Sequence, residues 1–200
     1  MPFVAKSYPI KHEIICKQLN KTSIDIISFQ EVFTYRDLLL LRRNLSSYPY
    51  IGYAPSLVGP KGAMVTFSKI PIGTVNYASF LKPTKDAAGS KISMMLLKSC
   101  LKGILFVHVP KKSLIIINTH PLSNKDGDWS NTNRFYDIHK AQLSALAFYK
   151  HQLSKVDYNI ILNGDLNVPQ DSKLFKDFLK QSKLYDVFVD DRKPTVKLPF

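Results

Sequence analysis

Three apolar runs each end, where a buried strand would surface, on residues suited to metal-assisted phosphate chemistry. They are Asp25-Ile-Ile-Ser-Phe-Gln30-Glu31, Leu114-Ile-Ile-Ile-Asn118-Thr119-His120 and Asn159-Ile-Ile-Leu-Asn163-Gly164-Asp165-Leu166-Asn167. A carboxylate, an imidazole and an Asp-x-Asn pair can converge from three strand ends, because neighbouring strands bring distant positions side by side. Glu31 can coordinate Mg2+, a hard cation that accepts few protein ligands and completes its shell with water and phosphate; otherwise it is a solvated strand-end glutamate. His120 is placed to hydrogen-bond a phosphoryl oxygen or shuttle a proton, or else to serve as a satisfied structural histidine. Gly164-Asp165-Leu166-Asn167 is the sharpest signal, since glycine permits close approach and Asp165 and Asn167 on an extended backbone project to one side. Asp165 can orient or deprotonate water and the Asn167 amide can donate to a phosphate oxygen, while the competing reading is an ordinary Asp/Asn/Gly turn. The joint occurrence of the three ends in a basic chain favours an enzyme.

The elements that must position these residues read as follows. Helical spacing of Ile10, Ile14 and Leu19, and of Leu38, Leu41 and Leu45, predicts two amphipathic helices flanking a strand at Ile24–Phe29. Short β-rich pieces at Tyr50–Tyr53, Ala63–Phe67, Ile72–Phe80, Ile92–Leu97 and Gly103–Val109 predict antiparallel sheet. Ile115–Asn118 and Ile160–Leu162, β-branched with little alternation, are expected as central strands covered on both faces. Between them Ile138, Ala141, Ala145, Phe148 or Tyr149, and Gln152 or Leu153 trace a long helix. Ser172 is the expected N-cap of a last helix whose buried face carries Leu174, Phe175, Phe178 and Leu179. The polar stretch Leu122–Arg134 holds the only tryptophan, Trp129. A structureless loop of about a dozen residues suggests function; its alternative is a surface Ω-loop pinned by Trp129.

Two hundred residues, 45% hydrophobic, suit one domain. The formal charge of +13 favours polyanionic partners such as nucleic acid, phospholipid headgroups or phosphorylated metabolites, or reflects a lysine-rich solvated surface. Cys16 and Cys100 lack the pairing of a disulfide framework or zinc site and read as core thiols. His12, His108, His139 and His151 fall within expected helices or a strand and read as structural. No apolar run is long enough to span a membrane and no signal segment precedes Ile10, so the chain as written reads as cytoplasmic; a lost N-terminal segment would leave secretion open.

The ordered motifs resemble the endonuclease/exonuclease/phosphatase superfamily, the DNase I-like fold, and most closely its neutral sphingomyelinase-like branch. Phe29-Gln30-Glu31-Val32-Phe33 is similar to that family's metal-binding segment, Asn118-Thr119-His120 to its catalytic Thr-His, and Gly164-Asp165-Leu166-Asn167 to its Gly-Asp-x-Asn. Gly62–Ile72, Lys102–Val107, Gly127-Asp128-Trp129-Ser130 and Asn133-Arg134 add to the likeness, which spans nearly the whole chain. The resemblance implies an α/β (α+β) four-layer sandwich, two mainly antiparallel sheets flanked by helices. It implies that Glu31 binds Mg2+ (or Mn2+), that His120 contacts or protonates the phosphate, that Asp165 orients or activates water, and that Asn167 fixes the scissile phosphate. The implied reaction is in-line hydrolysis of a phosphate ester, with the cation as Lewis acid.

The chain departs from that pattern at both ends. The family begins with a strand ending in Asn near the metal, and Met1 stands where that strand would already have finished. It closes on Ser-Asp-His, whereas here no histidine follows His151. The expectation is therefore an incomplete domain lacking its first and last strands. Loss of one acid/base group would lower activity by a factor of about 10² to 10⁴. A phosphodiesterase acting on a phospholipid such as sphingomyelin is the leading function. The alternatives are a nuclease, and an inactive remnant that binds phosphorylated ligands or protein partners.

Overall fold

The computed structural model describes residues 8–88 and 102–190. Helix α1 (Tyr8–Leu19) leads to β1 (Ile26–Phe29), α2 (Tyr35–Asn44), β2 (Tyr50–Gly52), β3 (Val65–Ser68), β4 (Val75–Ser79) and α3 (Leu81–Ala88). Then follow β5 (Gly103–Val109), β6 (Leu114–His120), α4 (Tyr136–Leu153), β7 (Asn159–Gly164) and α5 (Lys173–Ser182). One sheet has the order β1-β3-β2 and is antiparallel throughout; the other, β4-β5-β6-β7, is antiparallel except for the parallel pair β6-β7.

Alternation along the strands sorts side chains into layers. Leu105, Val107 and Val109 of β5 meet Met64, Ile116 and Ile26 between the sheets. Ile104, Ile115 and Ile117 face outward into a cluster with Leu143, Leu146, Leu174 and Phe178 of α4 and α5. Leu38, Leu41 and Leu45 bury against Val65 and Phe67 on the far side of the first sheet, with Cys16 of α1. The result is the expected four-layer sandwich, helices outside two sheets. Helix α2 starts at a capping box, Thr34 accepting from the Asp37 N–H while the Asp37 carboxylate accepts from the Thr34 N–H. Ser172 caps α5 by accepting from the Phe175 N–H.

Several elements differ from expectation. Ile14 of α1 is exposed, and Cys16 turns inward instead. The buried stripe of α4 runs through Ile138, His139, Gln142, Leu143, Leu146 and Ala147, about one position from the one expected, and Phe148 faces solvent. Strand β7 is not central among the described residues. It forms one edge of its sheet there, and Ile161 is 50% exposed. The expected strand Ile92–Leu97 and Cys100 lie outside the described residues.

Candidate active site

The ends of β1, β6 and β7 meet at one rim. Beneath it lies Asn118, fully buried, whose amide donates to the carbonyls of Phe29 and Val65 at 3.3 Å each and accepts from Gln30 Nε2 at 2.8 Å. This carboxamide bolts the second sheet to the first and fixes Gln30, the neighbour of Glu31. Glu31 itself leaves β1 in the left-handed region at φ 63°, with its side chain exposed. A non-glycine residue held there costs about 1 to 3 kcal/mol, and such strain clusters at functional sites.

Asp165 reaches His120 because of Gly164. The parallel register pairs Thr119 with Gly164, and a Cβ on Gly164, at φ 134°, would lie 2.1 Å from the Thr119 carbonyl oxygen. Only glycine allows this approach, which sets Asp165 Oδ2 3.9 Å from His120 Nε2. His120 is 3% exposed, whereas the Asp165 side chain is 57% exposed and faces the solvent from which water would come. The turn after His120 is held twice: the Leu122 N–H donates to Gln142, and Asn167 Nδ2 donates to the Pro121 carbonyl at 3.1 Å.

Asn167 departs from the extended geometry read in the sequence. It is left-handed at φ 52°, and its N–H donates to Asp165 Oδ1 at 2.9 Å, the hydrogen bond of an Asx turn. The turn reading was therefore correct locally. The same turn nevertheless brings the Asn167 amide across to the strand end that carries His120.

Lys102 is the residue that motif reading missed. Its Nζ lies 2.9 Å from His120 Nδ1 and 2.7 Å from Nε2, so the ammonium donates to whichever ring nitrogen carries the lone pair. The antiparallel register that pairs Gly103 with His120 puts Lys102 there, one residue before β5 begins. A lysine flanking a strand is an unremarkable signal until that pairing is known. Burial lowers the Lys102 pKa to about 8, against the opposing pull of the Glu31 and Asp165 charges. Burial, reinforced by the Lys102 charge and opposed by Asp165, lowers His120 to about 4. At neutral pH the imidazole is thus neutral and its contact with Asp165 is no ion pair, although the separation is within ion-pair range.

The charges of Glu31 and Asp165 both pull on the Lys102 ammonium, so each carboxylate lies within electrostatic reach of it. A hard cation takes one or two carboxylates and keeps several waters, so this oxygen donor set fits Mg2+ or Mn2+ better than a nitrogen- and sulfur-preferring metal. Among the described residues, no group of three or more His, Cys, Asp and Glu gathers as a closed cage.

The loop after the site is ordered by its own contacts. Arg134 donates twice to the Asp126 carboxylate at 2.8 Å, Ser130 donates through N–H and hydroxyl to Asp128, and Trp129 packs edge-on against His139 at 5.1 Å. The other histidines have local contacts: His108 stacks on Tyr158 and His151 meets the Gln181 carbonyl.

The profile of the Endonuclease/Exonuclease/phosphatase family matches residues 5–199, and the chain belongs to that family. Among solved structures it is similar to a Staphylococcus aureus beta toxin mutant with bound magnesium ions, with a TM-score of 0.69 and 21% identity over 91% of this chain and 65% of that one. It is similar to Sphingomyelinase C from Streptomyces griseocarneus, with a TM-score of 0.63 and 19% identity over 90% of this chain and 65% of the other. TDP2 from C. elegans superposes with a TM-score of 0.55 and 16% identity, covering 82% of this chain and 44% of that protein. The chain thus spans less than two thirds of the length of these structures. No curated protein sequence matches it. The DNase I-like fold is shared with all three.

Proposed function

We propose that the chain carries a divalent-metal-dependent phosphoester hydrolase site, a phosphodiesterase of the sphingomyelinase-like type. The observation that carries this reading is the cluster of Lys102, His120 and Asp165 at the same rim as Glu31. Glu31 would hold Mg2+ or Mn2+, which when bound supplies Lewis-acid polarisation of a phosphoryl oxygen. Neutral His120 hydrogen-bonds a phosphate oxygen, its ring oriented by Lys102. The ammonium stands where negative charge accumulates during displacement, in a partly desolvated setting that strengthens the interaction. Asp165, open to solvent, orients the attacking water. Asn167 holds the strand ends together and presents its amide beside them.

A phospholipid headgroup is the favoured substrate, in keeping with the sphingomyelinase and beta toxin among the similar structures. The charge of +13 supports a second reading, a nuclease. Parallel assays on sphingomyelin and on DNA, each with Mg2+ or EDTA, separate the two. Metal-dependent release of phosphocholine is expected. Metal-dependent DNA cleavage without it would move the assignment to a nuclease, and turnover of neither would contradict the enzyme reading.

A further inference from the structure

The loop between β2 and β3 presents an apolar tip and packs on the Phe33–Tyr35 segment that follows Glu31. Leu57 is 101% exposed and Val58 71%, yet the loop beneath them is firmly built. Pro55 and Pro60 form an antiparallel bridge, Ser56 bonds the Gly59 carbonyl through both N–H and hydroxyl, and the Lys61 N–H donates to Ala54 at 2.7 Å. The far side is clamped by Tyr35, whose N–H donates to the Val58 carbonyl at 3.1 Å and whose hydroxyl donates to the Ser56 carbonyl at 2.7 Å. A Cβ on Gly59 would strike the Phe33 carbonyl at 2.3 Å, so the loop lies flush on the segment that follows Glu31.

Turn tips ordinarily carry Gly, Asn, Asp or Ser. Single exposed apolar residues need no explanation, but an adjacent Leu-Val pair on a braced tip is a preorganised apolar projection. Tyr35, which clamps it, lies four residues from Glu31, hence within about 15 Å along the chain. Arg36 and Lys61, both exposed, flank the tip in sequence on its two anchoring segments. The nearby acids are otherwise engaged: Asp37 in the helix cap, and Glu31 at the site.

We infer that Leu57 and Val58 insert into the headgroup–acyl boundary of an anionic phospholipid bilayer, with Arg36 and Lys61 at the phosphate level. Apolar residues backed by cations are the pattern of interfacial binding, and the charge of +13 complements such a surface. The inference rests on the phosphoester reading for its substrate class, because it brings the rim of the site to lipid headgroups.

The test is co-sedimentation with vesicles of phosphatidylcholine containing phosphatidylserine, comparing the wild type with a Leu57→Asp/Val58→Asp double variant. Loss of two aliphatic side chains that the bilayer would bury is expected to weaken vesicle binding at least about tenfold, with circular dichroism and turnover of a water-soluble phosphodiester unchanged. A Leu57→Trp variant should give a blue-shifted fluorescence component on vesicles that is absent in buffer. Equal vesicle binding by the wild type and the double variant, or no binding by the wild type, overturns the inference. So does loss of duplex DNA binding in the double variant with vesicle binding intact, which would assign the tip to nucleic acid. Absence of phosphodiester turnover in both proteins, with vesicle binding lost only in the variant, would remove the enzyme reading and leave the membrane contact standing.

Discussion

His139 should make the protein acid-labile by a calculable amount. It is fully buried on α4, neither ring nitrogen has a hydrogen-bond partner among the described residues, and burial lowers its pKa from 6.5 to about 4. Between those values the unfolded chain binds a proton that the folded chain refuses, so stability falls as pH falls through this window. From pH 8 to pH 5 the two titration curves differ by about 2 kcal/mol, at 1.36 kcal/mol per pKa unit. For a chain of this size that is a shift of about 4 to 8 °C in Tm. His139→Leu removes the titrating group and relieves a desolvated imidazole, so at neutral pH it should be neutral or stabilising. Thermal and urea unfolding of both proteins at pH 8 and pH 5 measure the double difference, in which the carboxylates common to both cancel. The wild type should lose about 2 kcal/mol more than the variant on acidification. Equal losses would refute the claim that His139 is held neutral by burial.

Gly164→Ala should destabilise by more than about 2 kcal/mol, since the new Cβ meets the Thr119 carbonyl at 2.1 Å on backbone at φ 134°; urea unfolding with unchanged m-value checks it. Lys102→Met should lower phosphodiester turnover by about 10² to 10³, the usual effect of removing a charge-stabilising donor. With the Lys102 pKa at about 8, wild-type turnover should fall as pH rises through that value, a limb the variant should lack; a pH–rate profile decides. Thr34→Ala removes a side chain that accepts from the Asp37 N–H and should cost about 1 kcal/mol in chemical denaturation without touching activity.

Much of the frame was legible because burial imposes pattern. Ile115–Ile117 could be read as a fully covered strand, and Leu38, Leu41 and Leu45 as a helical face, since each sits where sequence periodicity and packing agree. Ile160–Leu162 looked equally apolar, but residue types cannot say whether a strand has neighbours on both sides, and β7 proved to be an edge among the described residues. The α4 stripe was misplaced because it carries polar residues: Gln142 is buried to bond Leu122 and Thr84, and His139 to pack on Trp129. Glu31, His120 and Asp165 stand out as candidates because strand-end position and chemistry coincide in the chain. Lys102 and Asn118 act through cross-strand and cross-sheet partners, so their roles depend on register, which local sequence does not display.

The central claim is that one rim, built from the ends of β1, β6 and β7, hydrolyses phosphate esters with a divalent cation held at Glu31. The most direct test is turnover of bis-p-nitrophenyl phosphate by the chain, titrated with Mg2+ and then EDTA, against Glu31→Gln, His120→Ala and Asp165→Asn. Saturable Mg2+ dependence is predicted, with Glu31→Gln shifting the metal requirement upward and the other two lowering turnover at saturating metal. Turnover indifferent to EDTA and to all three substitutions would contradict it.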